Sequence, residues 1–134
     1  THLIQVTDLD LPLALKLREK VERGEWVVIA GDRVPVGEGG RTVTVAFLGA
    51  HARFPVGPWV RASLLKCPVY SLHCYREEDG NRMEFDLFAE AVELPRESRE
   101  TAYKRYARQY AASLEGLIRR QPFQWFNFFD FRGQ

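Results

Sequence analysis

Asp32 and Arg33 stand side by side at the end of the apolar run WVVIA, which begins at Trp26. A carboxylate next to a guanidinium at a strand end can bind a charged group or orient a catalytic imidazole. The same pair also serves as an ordinary surface ion pair or turn, so residue type alone leaves both readings open. A second group follows at Gly49 and Phe54-Pro55-Val56-Gly57-Pro58. Two prolines stiffen this stretch, and Gly57 permits close backbone approach. A stiff loop opening onto a helix N-terminus can hold a phosphate or an oxyanion, or be a rigid structural turn. Arg53 beside it is an anion ligand or a solvated charge.

His73 and Glu78 have the spacing H-x4-E, a general-base signature in some acyl-transfer enzymes. Along a strand, however, residues five apart face opposite ways, and a turn starts just before Glu78. The spacing is therefore read as coincidence. His51 is expected at the surface, and His2 lies at the start of the chain. The sequence has no G-x-S-x-G elbow, P-loop, dinucleotide fingerprint or metal-ligand cluster, and no cofactor or metal is expected.

The elements that would position these residues alternate between helix and strand patterns. His2 to Val6 reads as a short strand. Asp8 or Asp10 can cap the next helix, with Pro12 in its first turn and an apolar face of Leu13, Leu17 and Val21. Gly24 ends it. Trp26 to Ala30 reads as a buried strand, parallel to its neighbours after the crossover helix. GEGGR, from 37 to 41, is a flexible loop. Thr42 to Leu48 is a strand, 49 to 58 an irregular loop, and Trp59 to Lys66 a short helix. Pro68 to Tyr75 is a strand, and EEDGN turns it into a hairpin with Arg82–Val92.

Ser98 is the cap candidate for a long helix from Arg99 to about Arg119. Tyr103, Tyr106, Ala107, Tyr110, Leu114, Leu117 and Ile118 form one stripe of it, and Lys104, Arg105, Arg108, Arg119 and Arg120 form a basic face. The stripe fits a core, and the basic face fits solvent, anionic lipid or an acidic carrier. Six aromatics crowd the nine residues from Phe123 to Phe131. They either pack back on the sheet or sit at a membrane interface.

The pattern predicts an α/β fold: a mixed, largely parallel sheet with flanking helices. The 134 residues suffice for one domain, and a hydrophobic content of 46% excludes a disordered chain. A net charge of +1 gives no reason to expect nucleic acid. Cys67 and Cys74 read as buried free thiols in a reducing cytosol. No apolar run nears the roughly 20 residues of a membrane span.

Four blocks, in order, resemble the lipid A biosynthesis acyltransferases of the lysophospholipid acyltransferase-like superfamily. GEWVVIAGDR is similar to that family's strand ending in Asp-Arg. VAFLGAHARFPVGPW is similar to its F-x-G-x-x-A-x-x-P-x-G block, and CPVYSLHCYR to the strand block that follows. LEGLIRRQPFQWFNFFDF resembles its terminal segment. The resemblance implies transfer of a fatty acyl chain from acyl carrier protein or acyl-CoA to a lipid or glycolipid hydroxyl. It places that chemistry at the cytoplasmic face of the bacterial inner membrane.

In such enzymes a His in an H-x4-D/E motif takes the hydroxyl proton, and that motif precedes the Asp-Arg block. Here only His2 precedes Asp32, and Thr7 stands five residues after it. The dyad is thus expected upstream, with residues 1–134 the C-terminal part of a single acyltransferase domain and no catalytic residue among them. Asp32 and Arg33 would line the cleft, while Gly49, Phe54, Pro55, Gly57 and Pro58 would shape the acyl or acceptor pocket, with Arg53 beside them. A non-catalytic acyl- or lipid-binding module of the same fold is the alternative, and a protein-interaction domain a third. A partial domain would also leave apolar surface uncovered, so self-association is expected.

Overall fold

The computed structural model of the chain describes residues 11–34 and 40–126. The expected strand at His2–Val6, the Asp8 and Asp10 caps, most of the GEGGR loop and the last aromatics of the tail lie outside them. In chain order the elements are α1 (Leu11–Glu22), β1 (Thr42–Phe47), β2 (Ala50–Pro55), α2 (Gly57–Leu65), β3 (Val69–Glu77), β4 (Gly80–Ala89) and α3 (Arg99–Arg120), the last preceded by a 3-10 turn at Arg96–Ser98.

The long amphipathic helix organises the rest. Ala102, Tyr103, Tyr106, Ala107, Ala111, Leu114, Leu117 and Ile118 of α3 are buried, so the predicted stripe is the core face. Ala107 and Ala111 have almost no exposure, and these small side chains let β1 approach closely. Ser98 occupies the cap position, but its side chain makes no capping hydrogen bond.

β1 and β2 form an antiparallel hairpin with Val43 opposite Phe54 and Phe47 opposite Ala50. Val43, Val45 and Phe47 alternate inward, meeting Ala52 and Phe54. The connection is Leu48-Gly49, with φ of 50° and 77°. Two consecutive positive φ values are what a tight type I′ hairpin turn requires. Gly49 adopts that conformation without strain, whereas Leu48 does not. Its amide is compensated by the Glu115 carboxylate of α3, which accepts it at 2.9 Å. The segment from 49 to 58 is therefore not an irregular loop. Its Ala, His, Arg and Pro content hides a strand that exists because β1 pairs with it, a tertiary override of weak β propensity.

β3 and β4 form a second antiparallel hairpin, Tyr70 opposite Leu87, His73 opposite Glu84 and Glu77 opposite Gly80. The two hairpins are separate two-stranded sheets, so the largely parallel sheet of the sequence reading is incorrect among the described residues. Both connections are two residues long, which permits only antiparallel pairing; parallel strands need a crossover.

The expected buried strand at Trp26–Ala30 is also corrected. The stretch has no strand assignment, and Trp26 and Val28 are 69% and 81% exposed. Trp26 lies edge-on against Tyr70 and Phe85, on the outward face of the second hairpin, without a backbone ladder. The Cys expectation changes likewise: Cys67 is only partly covered, and Cys74 is exposed on that same outward face.

The remaining helices are set by local chemistry. α1 ends with Glu25 N–H on the Lys20 carbonyl and Gly24 N–H on the Val21 carbonyl, the paired bonds of a Schellman cap, with Gly24 at φ 82°. α2 carries Pro58 in its first turn and buries Trp59, Ala62 and Leu65. Trp59 stacks on Phe88 at 5.2 Å and on Tyr106 at 5.9 Å, tying α2 and β4 to α3. The Trp59 indole N–H is buried with no partner among the described residues.

Candidate functional site

Gly31, Asp32 and Arg33 follow directly from the exposed Trp26–Ala30 stretch, and two aromatic side chains fix their position. Gly31 is buried against the face of Tyr110: a Cβ added there would lie 2.7 Å from Tyr110 Cζ. Edge-on contacts with Phe54 and Trp59, at 6.1 and 6.0 Å, hold the Tyr110 ring in place. Only glycine fits that approach. One residue on, the Trp125 indole N–H donates to Asp32 Oδ2 at 3.3 Å, across 93 residues of sequence. Trp125 in turn packs edge-on against Phe47 at 5.6 Å. The Asp-Arg pair thus rests on an aromatic floor built from β1, β2, α2, α3 and the segment after α3.

Electrostatics follow the geometry. Burial, reinforced by the nearby Asp32 carboxylate, raises the Tyr110 hydroxyl well above its ordinary pKa, so it stays a neutral donor. Arg33 is exposed. The segment after α3 is held by Gln124, whose side-chain amide donates to the Arg76 carbonyl and accepts the Arg76 N–H, both at 2.6 Å. These two bonds dock it on β3 and set Trp125 in register with Asp32.

The other residues singled out by sequence occupy distinct places. Phe54 has no exposure and belongs to the core beneath the site. Gly49 forms the β1–β2 turn. Arg53 points outward from β2, opposite Thr44. Pro55 ends β2, and Gly57 and Pro58 open α2. The space above Gly57, expected to admit a ligand, is taken by Arg61, whose Nη1 lies 2.6 Å from where a Cβ would stand. Burial lowers the Arg61 pKa. Asp32 follows Gly31, which abuts Tyr110, and Phe54 lies edge-on to the same ring, while Gly49 and Gly57 serve backbone turns. Among the described residues, one surface hollow runs along Arg76–Asp79 and Gln121–Phe126 and another along α2 and the start of α3. Neither is lined by Asp32, Arg33 or residues 49–58.

Sequence reading missed Gly31, Tyr110 as its support, and the Ser113 partner of His73, although it rightly set aside a His73–Glu78 pair. His73 is buried on β3, and its Nε2 lies 3.0 Å from Ser113 Oγ on α3. Its partner is therefore a helix hydroxyl and not Glu78, which sits in the hairpin turn. Glu84, opposite it, instead takes the Tyr75 hydroxyl at 2.9 Å and Arg120 at 2.7 Å. Among the described residues no group of His, Cys, Asp and Glu could hold a metal ion.

The profile of the bacterial lipid A biosynthesis acyltransferase family matches residues 14–130, and the chain belongs to that family. No curated protein matches it. The match spans the Asp-Arg block, the 49–58 block and the aromatic segment after α3, so the Asp32–Trp125 contact joins two distant parts of one family pattern.

Burial lowers the His73 pKa below the ordinary 6.5, against Glu84, Asp86 and Asp32, which favour its charged form, and with Arg120, which opposes it. The unfolded chain therefore takes up this proton first on acidification. The His73 contribution to stability is complete above about pH 6.5 and is lost as pH falls through the folded-state value. The urea midpoint of the protein should fall more between about pH 7.5 and 5.5 than that of a His73→Gln variant. Equal falls would show that His73 does not titrate on unfolding.

Proposed function

We propose that this chain forms the pocket-wall portion of an O-acyltransferase that moves a fatty acyl group from acyl carrier protein or acyl-CoA to a hydroxyl of a lipid or glycolipid. Membership of the lipid A acyltransferase family supports the reaction class. The observation that carries the assignment of a site is the Trp125–Asp32 hydrogen bond over the Gly31–Tyr110 contact. It fixes the Asp32 carboxylate on a packed aromatic floor next to the exposed Arg33, as a preorganised charged centre requires. In this reading Asp32 orients the base or binds the acceptor, and Arg33 holds an anionic group such as a phosphate of donor or headgroup. Phe54, Pro55, Gly57 and Pro58 support the pocket, Gly49 fixes the hairpin that carries Phe54, and Arg53 is a peripheral anion contact.

The proton-abstracting imidazole is assigned to residues outside these 134. His73 is committed to Ser113, and neither His51 nor His2 has an acid five residues on. The same shortfall favours a second reading, a non-catalytic acyl- or lipid-binding module. The enzyme carrying this chain should lose about 100-fold in acyl transfer on Asp32→Ala or Arg33→Ala, measured with labelled acyl carrier protein. Unchanged rates would remove both residues from the site, and a carrier of this chain that binds lipid but never turns over would favour the second reading.

A place at the cytoplasmic face of the bacterial inner membrane is also proposed. No described helix is long and apolar enough to cross a membrane, and the contact proposed is a peripheral one. It is supported by the outward face of the β3–β4 hairpin, where Tyr70, Leu72, Met83, Phe85 and Leu87 are 40–69% exposed beside Trp26. Aromatic and aliphatic side chains of this kind favour the headgroup boundary. Without a bilayer the same face should drive self-association of the 134-residue chain. Light scattering should show a mass that rises with concentration, and anionic vesicles should float the protein. A monomer at every concentration that ignores vesicles would contradict both.

A further inference from the structure

The register of the β3–β4 hairpin decides which backbone groups it leaves unpaired. Glu77 pairs with Gly80 across the two-residue turn Glu78-Asp79, and such a closing pair exchanges both of its backbone bonds. Bonded and non-bonded pairs then alternate, so Arg76 and Asn81 form a non-bonded pair whose N–H and C=O groups point away from each other. The Gln124 side chain shows the same phase, since its two bonds go to the Arg76 N–H and carbonyl. The alternation turns the backbone groups of Met83, Phe85 and Leu87 outward from β4 as well.

The two edges of this hairpin differ. Gln124 and Trp26 lie against β3, at Arg76 and Tyr70. β4 has no strand on its far side among the described residues, and Asn81, Arg82, Met83, Phe85, Asp86 and Leu87 are all exposed. These side chains belong to both faces of the strand, so its outer edge is open. An open ten-residue edge with an apolar face and no proline is a template for another strand.

The charges along that edge are self-complementary. On the face toward α3 they read Arg82, Glu84, Asp86. Antiparallel pairing of two copies about Glu84 sets Arg82 opposite Asp86 of the second copy, twice, at non-bonded positions where Cα atoms approach to about 4.5 Å. Arg82 holds Glu77 through Nε and Asp79 through Nη2, which leaves Nη1 for that contact, and Asp86 has no ion pair among the described residues. The two Glu84 carboxylates meet at the axis, each neutralised by its own Arg120 at 2.7 Å. On the other face Met83 meets Phe85 of the second copy, and the apolar surface continues across four strands.

We propose that β4 pairs edge to edge, antiparallel and about a two-fold axis, with β4 of a second copy of this chain, in the register that joins Arg82 to Asp86. The proposal rests on the self-association put forward above and assigns it to a strand edge, which keeps the apolar face open to a membrane. Each copy supplies the same backbone groups, so the pairing closes at two.

Hydrogen exchange of the isotopically labelled 134-residue protein, dilute and concentrated, reads the edge directly. The amides of Asn81, Met83, Phe85 and Leu87 should exchange at least tenfold more slowly in concentrated protein, and those of Leu72 and Cys74, on the outer edge of β3, should not change. Met83→Ser removes the apolar side chain and keeps the N–H, whereas Met83→Pro also removes the N–H at an edge position that tolerates proline. The proline variant should dimerise at least tenfold more weakly than the serine variant in sedimentation. Asp86→Lys and Arg82→Glu should each weaken self-pairing at least tenfold, and the two variants mixed should pair with each other. Equal dimerisation of the serine and proline variants would overturn the edge and leave face-driven association standing. A monomer at every concentration would remove both. Slowed exchange at Leu72 and Cys74 instead of β4, or charge variants that do not recover on mixing, would also overturn the proposal.

Discussion

Everything near Asp32 depends on one close approach, the backbone of Gly31 against the Tyr110 ring. The ring is held by edge-on contacts with Phe54 and Trp59, which belong to β2 and α2. The approach brings Asp32 within reach of Trp125, and Trp125 is itself positioned by Phe47 and by the Gln124 bonds to Arg76. Four elements and the segment after α3 therefore converge on one three-residue sequence. A side chain at 31 would have to displace a packed ring, so the constraint acts through volume before any charge is considered. The charged pair is then a consequence of packing.

The second hairpin shows how the rest of the fold accommodates that centre. Its face toward α3 carries Ser71, His73, Tyr75 and Glu84, and its outward face carries Tyr70, Leu72, Met83, Phe85 and Leu87. This is the reverse of the usual arrangement, in which the apolar face meets the core. Contact with α3 is made instead by specific polar pairs, His73 with Ser113 and Arg120 with Glu84, plus the Phe88–Tyr106 ring contact at one end. The apolar face keeps Trp26 as its one ring contact outside the hairpin among the described residues. The same inversion underlies the proposed membrane contact and the proposed self-association.

What the residues revealed in advance divides along physical lines. The α3 stripe, the β1 alternation and the Gly24 stop are local patterns, and each appears where it was read. The Asp-Gly hairpin likewise stands within three residues of its expected bounds. β2 was hidden because AHARFP carries no β signal of its own and becomes a strand only through pairing with β1. Trp26–Ala30 misled in the opposite way. Its apolar content is that of a buried parallel strand, but a ladder needs a neighbour, and among the described residues none pairs with it. The candidate site was half visible: Asp32 and Arg33 stood out by type, and the block likeness agreed with the family match. Gly31, Tyr110 and Trp125 become a unit only across tens of residues, a relation that no local spacing encodes.

The central claim is that Trp125 and Asp32 act as one contact, locking the Asp-Arg pair to the segment after α3. A double-mutant cycle of Asp32→Ala and Trp125→Phe, read by urea unfolding, measures that contact directly, since phenylalanine retains a ring against Phe47. The account requires a coupling of about 1 kcal/mol. Additive effects, within about 0.3 kcal/mol, would show that the two side chains do not hold each other and would contradict it.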